Sequence, residues 1–189
     1  MLDWIARSDV TDAVLSDCVV MFESVANRQL RVRQMETSTT LTPSSGEATL
    51  PTDYLAWRSV TWEGDPTVQL EYVEPRWMRA AYNSTDADTP TVFTIEGSTF
   101  SLRPTSTTSV TLRYWQKIPD LATNSTNWLL SAHPDVYLHG CLYEVYKYLR
   151  DADGAVAYFQ LRDSGFEEIQ KLSEKSKGPV SLRLTGTII

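Results

Sequence analysis

The side chains that could do chemistry in this 189-residue chain are two histidines, two cysteines and a few neighbouring carboxylates. His133 and His139 are six residues apart, a spacing that does not place both on one helix face as a metal-binding pair requires. Glu167 and Glu168 occur beside lysines in a helical pattern, which favours a solvated face over a general acid and base. Phosphate-loop, nucleophile-elbow and zinc-protease motifs are missing from the sequence. We therefore predict no enzymatic activity, no metal site and no cofactor.

The two cysteines, Cys18 and Cys141, each fall within an apolar helical pattern, where a free thiol behaves as a small hydrophobic side chain. We predict that both are buried and reduced, as in a protein that folds in a reducing cytoplasm. The first residues lack the basic and apolar regions of a signal peptide, and no run approaches the roughly 18 apolar residues of a membrane helix. We expect neither secretion nor membrane insertion.

The composition indicates a folded protein with an acidic balance, since 42% of the residues are hydrophobic, the net charge is -7 and the pI is about 4.8. Phosphate contacts need clustered lysines and arginines, so this balance argues against a general nucleic-acid-binding surface. It is compatible with DNA passing nearby, because a repulsive wall lets a polyanion slide without adhering.

Three arginines crowd the end of the predicted N-terminal helix, namely Arg28, Arg31 and Arg33. Two interpretations of this group are open. Cations near a helix C-terminus complement the helix dipole. Exposed arginines can also contact an acidic neighbouring subunit or a phosphate.

Helical periodicity at both ends of the chain must position these groups. Residues 131–177 predict two helices, the first starting near His133 with Pro134 in its first turn. Near the N-terminus, Ser8 or Asp9 can cap a third helix. The predicted inward residues are Leu138, Leu142, Val145, Leu149 and Ala152, then Val156, Phe159, Phe166, Ile169 and Leu172, and on the N-terminal helix Val10, Val14, Cys18, Met21 and Val25, widened by Val19, Phe22, Ala26 and Leu30.

From Glu36 to Lys117 the apolar residues alternate, which predicts antiparallel sheet. The clearest hairpin spans residues 91–102 around Gly97, residues 68–72 predict one further strand, and residues 75–82 predict a short helix. Four tryptophans lie in or near this sheet, where burial in a core or an interface is favoured over a sugar-stacking platform: Trp57, Trp62, Trp77 and Trp115.

Helices at both ends and sheet between them predict an α+β fold, with a helical bundle built from the terminal segments and a central antiparallel β-sheet insertion. We expect a helical lobe of residues 1–36 and 127–177, a β lobe of residues 37–126 and a C-terminal arm of residues 178–189. The arm is either a strand on its own sheet or an extension that reaches another chain. Its candidate contact residues are Val180, Leu182, Leu184, Ile188 and Ile189.

Several stretches, taken in order, resemble the head-to-tail adaptor (connector) proteins of tailed bacteriophages, both podoviruses and siphoviruses, and of gene-transfer particles. They are ANRQLRVRQMET at residues 26–37, LPTDYL at 50–55, the hairpin at 91–102, LRYWQKIPDL at 112–121, NWLL at 127–130 and PDVYL at 134–138. Each stretch alone is weak evidence for this family, but the order in which they occur is specific to it. The resemblance covers residues 10–175.

The resemblance implies a structural virion protein without enzymatic activity. Such an adaptor would form a homo-oligomeric ring beneath the portal protein at the head-tail junction. We expect this ring to contain twelve copies. It links the capsid to the tail or the next connector protein and lets DNA pass through its channel without sequence-specific binding. The protein would be synthesised in the host cytoplasm. Arg28, Arg31 and Arg33 would be candidate subunit contacts, and the arm would contact the portal or a neighbouring subunit.

A different class of protein is an alternative to the adaptor. A non-catalytic tail or receptor-binding module could use an aromatic-rich sheet to grip carbohydrate. Binding of a glycan to the sheet, detected by tryptophan fluorescence, would distinguish this alternative from an adaptor.

Overall fold

The computed structural model describes residues 10–82 and 86–176. These residues divide into two compact units, a helical unit of residues 10–34 and 118–176 and a sheet unit of residues 35–82 and 86–117. The predicted α+β class is confirmed. Residues 118–126, which the sequence analysis assigned to the β lobe, fall in the helical unit by this division. The arm, residues 178–189, lies outside the described residues.

The helical unit contains α1 (Asp12–Gln29), α3 (Trp128–Ala132), α4 (Pro134–Tyr148) and α5 (Ala152–Lys175). Local capping explains where these helices begin. Thr11, not the predicted Ser8 or Asp9, caps α1 by accepting a hydrogen bond from the Val14 amide, and Ser8 and Asp9 lie outside the described residues. The Asp151 side chain caps α5 in the same way, accepting from Gly154 N at 3.0 Å. Pro134 occupies the first turn of α4, as predicted.

The buried face of α1 is narrower than predicted. Cys18, Phe22 and Ala26 are buried at four-residue steps, and Leu30 continues the row just after the helix. Met21, predicted to point inward, is 54% exposed. It is one residue from Phe22 and therefore turned by about 100° from the centre of the buried row.

The buried face of α5 also differs from the prediction. Phe166 and Ile169 are buried as predicted, but Val156, Phe159 and Leu172 are exposed. The remaining buried positions are Ala155, Arg162 and Ser173. The predicted stripe counted only apolar residues, so it missed a buried row that contains an arginine and a serine.

Two glycines allow close approach of the helices. A Cβ atom added to Gly140 in α4 would lie 2.0 Å from the Phe22 ring, and one added to Gly165 in α5 would lie 2.4 Å from Val136. Phe22 then contacts the Tyr137 ring edge-on at 4.8 Å and stacks on Phe166 at 6.1 Å between centroids. The aromatic centre of the helical unit therefore depends on these two small residues.

The sheet unit contains two four-stranded sheets, with strand orders β1-β8-β3-β4 and β2-β7-β6-β5. Neighbouring strands are antiparallel except for the parallel pair β5 and β6. The elements are β1 (Glu36–Leu41), β2 (Glu47–Thr49), β3 (Tyr54–Trp62), β4 (Val68–Gln69), β5 (Glu71–Tyr72), α2 (Pro75–Ala81), β6 (Val92–Glu96), β7 (Thr99–Arg103) and β8 (Val110–Gln116).

Buried side chains from both sheets form one core, so the unit is a two-layer sandwich. The predicted hairpin is confirmed as β6 and β7, with Gly97 at positive φ in its turn. The predicted single strand over residues 68–72 is wrong, because the chain changes sheets at buried Leu70, so that β4 pairs with β3 and β5 pairs with β6.

Candidate assembly surfaces

Of the three arginines predicted to contact a neighbouring subunit, Arg31 forms hydrogen bonds within its own chain that account for its position. Its guanidinium donates to the carbonyl oxygens of Asn27 and Leu30 at 2.7 and 2.6 Å, which satisfies the C-terminal end of α1. Arg28 and Arg33 are exposed. The Arg33 amide donates to the Ser173 hydroxyl at 3.0 Å and ties the end of α1 to α5. Contact of these arginines with a neighbouring subunit stays a prediction.

Two polar side chains on α1 hold the segment through which the chain enters the helical unit. Buried Glu23 accepts from the Leu121 amide at 3.0 Å and from the Tyr137 hydroxyl. One turn later, Asn27 Oδ1 accepts from the Ile118 amide at 2.8 Å. Burial, and then the hydrogen bond to Glu23, raises the pKa of Tyr137, so this hydroxyl stays protonated and donates.

Arg162 is another buried charged residue that the sequence analysis did not predict. Its guanidinium lies 4.7 Å from the ring centroids of both Tyr143 and Phe159, and it pairs with Asp163 at 2.7 Å. Only 3% of this side chain is exposed. The planar cation stacks on rings from α4 and α5 and so fixes the crossing of these helices. An arginine three residues after one phenylalanine and four before another was the available sequence signal.

The first candidate surface, here the helical patch, consists of the exposed side chains of Met21, Tyr148, Val156 and Phe159. Met21 and Tyr148 border a groove of about 270 Å³, whose other lining residues are Val14, Asp17, Cys18, Glu144 and Lys147. Contacts connect this groove to α5, because Lys147 lies 4.9 Å from the Tyr143 ring centroid and that centroid is 5.5 Å from the Phe159 centroid. Val156 is three residues before Phe159, on the same side of α5. The patch therefore extends over α1, α4 and α5.

The groove contains both buried and exposed charged side chains. Glu144 is buried and pairs with Lys147 at 2.7 Å, and half of the Lys147 side chain is exposed. The pKa of the Cys18 thiol is raised by burial and, second, by the charge of Glu144. Cys18 and Cys141 are both free and buried, which confirms that prediction and makes both thiols poor nucleophiles. The groove thus has apolar walls, an exposed carboxylate at Asp17 and the half-exposed ammonium group of Lys147, which is already paired with Glu144.

The second candidate surface, here the α5 ridge, consists of Leu161 and Leu172. Leu161 follows Phe159 by two positions and points to nearly the opposite side of α5. Leu172 is eleven positions after Leu161 and returns to the same face. Both side chains are about half exposed, at 49% and 59%.

The sheet unit exposes aromatic rings instead of aliphatic side chains. Trp57 and Tyr72 stack at 5.5 Å, and each contacts the buried Phe93 ring edge-on. Trp62 and Trp115 are buried in the single chain, whereas Trp57 and Trp77 are exposed, so burial of the latter two in an interface stays a prediction. A polar groove of about 470 Å³ lies on the outer face of the first sheet, between Arg58 and Arg113.

Among residues 10–82 and 86–176, no group of three His, Cys, Asp or Glu side chains is placed to hold a metal ion. None of the helices in these ranges is both long and apolar enough to span a membrane. The five predicted arm residues, Val180, Leu182, Leu184, Ile188 and Ile189, lie outside the described residues.

Comparison with known families identifies the chain. The family model described as the SU10 adaptor protein matches residues 1–183. The chain belongs to the SU10 adaptor family. No individually curated protein matches the chain. SU10 adaptors are phage head-to-tail adaptors, so the resemblance stated from the sequence is confirmed, and the chain is a structural adaptor protein of a bacteriophage.

Proposed function

We propose that this SU10 adaptor assembles as a ring, of twelve copies, beneath the portal protein and links the capsid to the tail or to the next connector. The family match over residues 1–183 is the observation that carries this proposal. A ring of identical subunits needs contact surfaces on each subunit. The helical patch and the α5 ridge supply exposed apolar side chains of the kind that assembly buries.

Passage of DNA through the ring is part of the same proposal. The net charge of -7 favours a channel wall that repels phosphate and lets DNA move without adhering. Sequence-specific contact would require clustered basic side chains pointing at base edges. The arginines of the α1 terminus instead fit contact with an acidic neighbouring subunit, with Arg28 and Arg33 as the exposed candidates.

Native mass spectrometry of the adaptor mixed with the portal ring of the same particle tests the proposal directly. Stoichiometric addition of many copies to the portal would support it and would give the ring size. The adaptor alone is the control, and we expect it to stay monomeric until the portal templates the ring. A monomer in both samples would contradict the proposal and favour a tail or carbohydrate-binding module.

The arm contributes a separate prediction. Deleting residues 178–189 removes the alternating apolar residues Val180, Leu182 and Leu184 together with the two terminal isoleucines. We expect the deletion to leave the thermal unfolding temperature within a few degrees of the full chain and to abolish portal attachment in the same native mass spectrometry experiment. A truncated chain that still attaches would show that the arm is not the portal contact.

A further inference from the structure

The outer face of the first sheet, which is turned away from the core of the sandwich, has an arginine at its centre. Leu112 and Tyr114 of β8 point into the core, so Arg113 between them points outward. In the register of the sheet, Arg113 lies opposite Ser38 of β1 and Ser59 of β3. Cross-strand neighbours share a face, with Cβ atoms about 5 Å apart. Arg113 is therefore flanked by a hydroxyl on each side.

Arg113 is also the unpaired cation of the polar groove on this face. Within the described residues its guanidinium has no ion-pair, hydrogen-bond or ring partner. Arg58 differs, because it stacks on the buried Trp115 ring at 4.8 Å and lies 3.5 Å from Glu36. The charged residues that line the groove are these two arginines and Glu36. The groove therefore carries one net positive charge, that of Arg113.

Hydroxyl groups continue along the same face. The next outward row across the three strands consists of Thr40, Thr111 and Thr61. Neither these threonines nor the serines beside Arg113 form a side-chain hydrogen bond within residues 10–82 and 86–176. The face thus presents one guanidinium and several hydroxyls that can all donate to a ligand.

The same face lacks the exposed apolar groups of a protein interface. Of the large apolar side chains that the described sheet unit exposes, Trp57 is on the core side of β3, beside Phe93, and Tyr72 is in the second sheet. The others, Trp77 and Tyr82, lie in or directly after α2, which packs on β6 of the second sheet. Protein interfaces usually have an apolar centre. Contacts to DNA phosphates are instead made by arginine, serine and threonine side chains.

We propose that the outer face of the first sheet contacts the phosphate backbone of DNA that passes through the ring. The Arg113 guanidinium and the hydroxyls of Ser38 and Ser59 donate to the phosphate oxygens. One unpaired cation per copy, on a chain of net charge -7, gives a weak contact that is independent of base sequence and breaks as the DNA moves. This inference rests on the proposed ring and names a surface that lines its channel.

Photochemical cross-linking tests the position of this face in the full-length chain assembled on the portal ring. The variant Ser59→Cys is labelled at the new thiol with an aryl azide, mixed with a short DNA duplex in low salt and irradiated. A covalent protein–DNA product should appear on a denaturing gel. Wild-type protein treated in the same way shows the background from buried Cys18 and Cys141.

Ser101 provides a matched control on the other side of the sandwich. Like Ser59, it is half-buried and lies on the outer face of its sheet between two strands. Its cross-strand neighbours are the exposed carboxylate Glu47 and Thr94, so no cation flanks it. Ser101→Cys should give at least tenfold less cross-linked DNA than Ser59→Cys.

A second comparison isolates the charge of Arg113. Fluorescence anisotropy with the same duplex, labelled with a dye, measures DNA affinity of the portal-assembled rings. Arg113→Gln should raise Kd at least threefold in low salt and make the affinity less dependent on salt. Arg76→Gln makes the same charge change at an exposed arginine of α2 and should leave Kd within twofold of wild type.

The outcomes separate the inference from the proposed function. Rings that form in native mass spectrometry but cross-link DNA equally from Ser59 and Ser101, or from neither, overturn the inference and leave the proposed function in place. An Arg113→Gln variant with unchanged DNA affinity and fewer copies on the portal would show that the groove binds an acidic protein, which also overturns it. If no ring forms on the portal, the proposed function is wrong and the inference falls with it.

Discussion

In the sheet unit the buried residues of both sheets form one apolar core, from Leu41 and Leu50 to Tyr114. In the helical unit the buried residues include three charged side chains, Glu23, Glu144 and Arg162. The two units also differ in the kind of apolar side chain that they expose. The helical unit exposes aliphatic side chains such as Leu161 and Leu172, whereas the large apolar residues that the described sheet unit exposes are all aromatic.

This contrast separates two ways of using apolar residues. The sheet unit places them inside, where burial stabilises the fold. The helical unit leaves several outside and fixes its helices partly with charged hydrogen bonds and with the rings stacked on Arg162. Because isolated buried charges cost free energy, we infer that the hydrogen-bond and ring partners of these charges hold the helices in one arrangement.

The largest effect should come from the apolar core of the sheet unit. Phe100 is fully buried and stacks on Phe93 at 5.7 Å. Phe100→Ala should lower the free energy of unfolding by about 3–5 kcal/mol through lost burial and a new cavity. Hydrogen-exchange mass spectrometry should show faster exchange confined to residues 35–117.

Trp77→Ala is the control for this substitution, since Trp77 is 54% exposed and its loss should cost less than about 0.5 kcal/mol. If Phe100→Ala speeds exchange equally in the helical unit, the two units unfold together and the comparison between them loses its basis.

The next effect concerns the charged contacts of the helical unit. Glu23→Ala leaves the Tyr137 hydroxyl and the Leu121 amide buried without their acceptor, and should cost about 2–3 kcal/mol. Glu23→Gln keeps an acceptor oxygen at the same place and should cost about 1 kcal/mol. Chemical denaturation followed by hydrogen exchange at residues 118–137 measures both. Equal losses for the two variants would mean that the carboxylate charge, not the hydrogen bonds, holds this segment.

Much of the fold could be predicted from the sequence because the signals are local. Pro134 marks the start of α4, and Gly97 marks the hairpin turn, since each residue type has its own backbone preference. The sheet partners were not predictable in the same way. Alternation over residues 68–72 indicates strand, but the division at Leu70 depends on which neighbour each half meets in space.

The exposed apolar residues of the helical unit could not be predicted from the same local signals. Met21, Phe159 and Leu172 fit apolar stripes, so the periodicity predicted them to be inside. Their exposure follows from the polar residues that occupy the buried rows instead, above all Arg162, and a stripe drawn from apolar residues alone leaves such a residue out. An apolar residue that fits a stripe can therefore serve either a core or an interface, and only the competing polar residue distinguishes the two.

The smallest predicted effect concerns a partly buried hydrogen bond of the sheet unit, between a tyrosine and a carboxylate. The Tyr114 hydroxyl donates to Asp53 Oδ1 at 2.9 Å. Burial, followed by this hydrogen bond, raises the pKa of Tyr114 from 10.0 to about 12. The folded state therefore holds this proton more tightly than the unfolded chain does. The contribution is complete below pH 10 and is lost as the pH rises through 12.

Tyr114→Phe should lower the free energy of unfolding at pH 7 by about 1 kcal/mol, because it removes the hydrogen bond but keeps the ring. The gap between wild type and variant should then shrink from pH 10 to pH 12, since only the wild type loses this proton. Urea denaturation at pH 7, 10, 11 and 12 measures the gap, and the other tyrosines cancel because both proteins contain them. A gap that is constant or widens over this range would show that the hydroxyl does not hold its proton against the carboxylate. The sheet unit would then depend on apolar burial alone, and its contrast with the charged interior of the helical unit would be sharper.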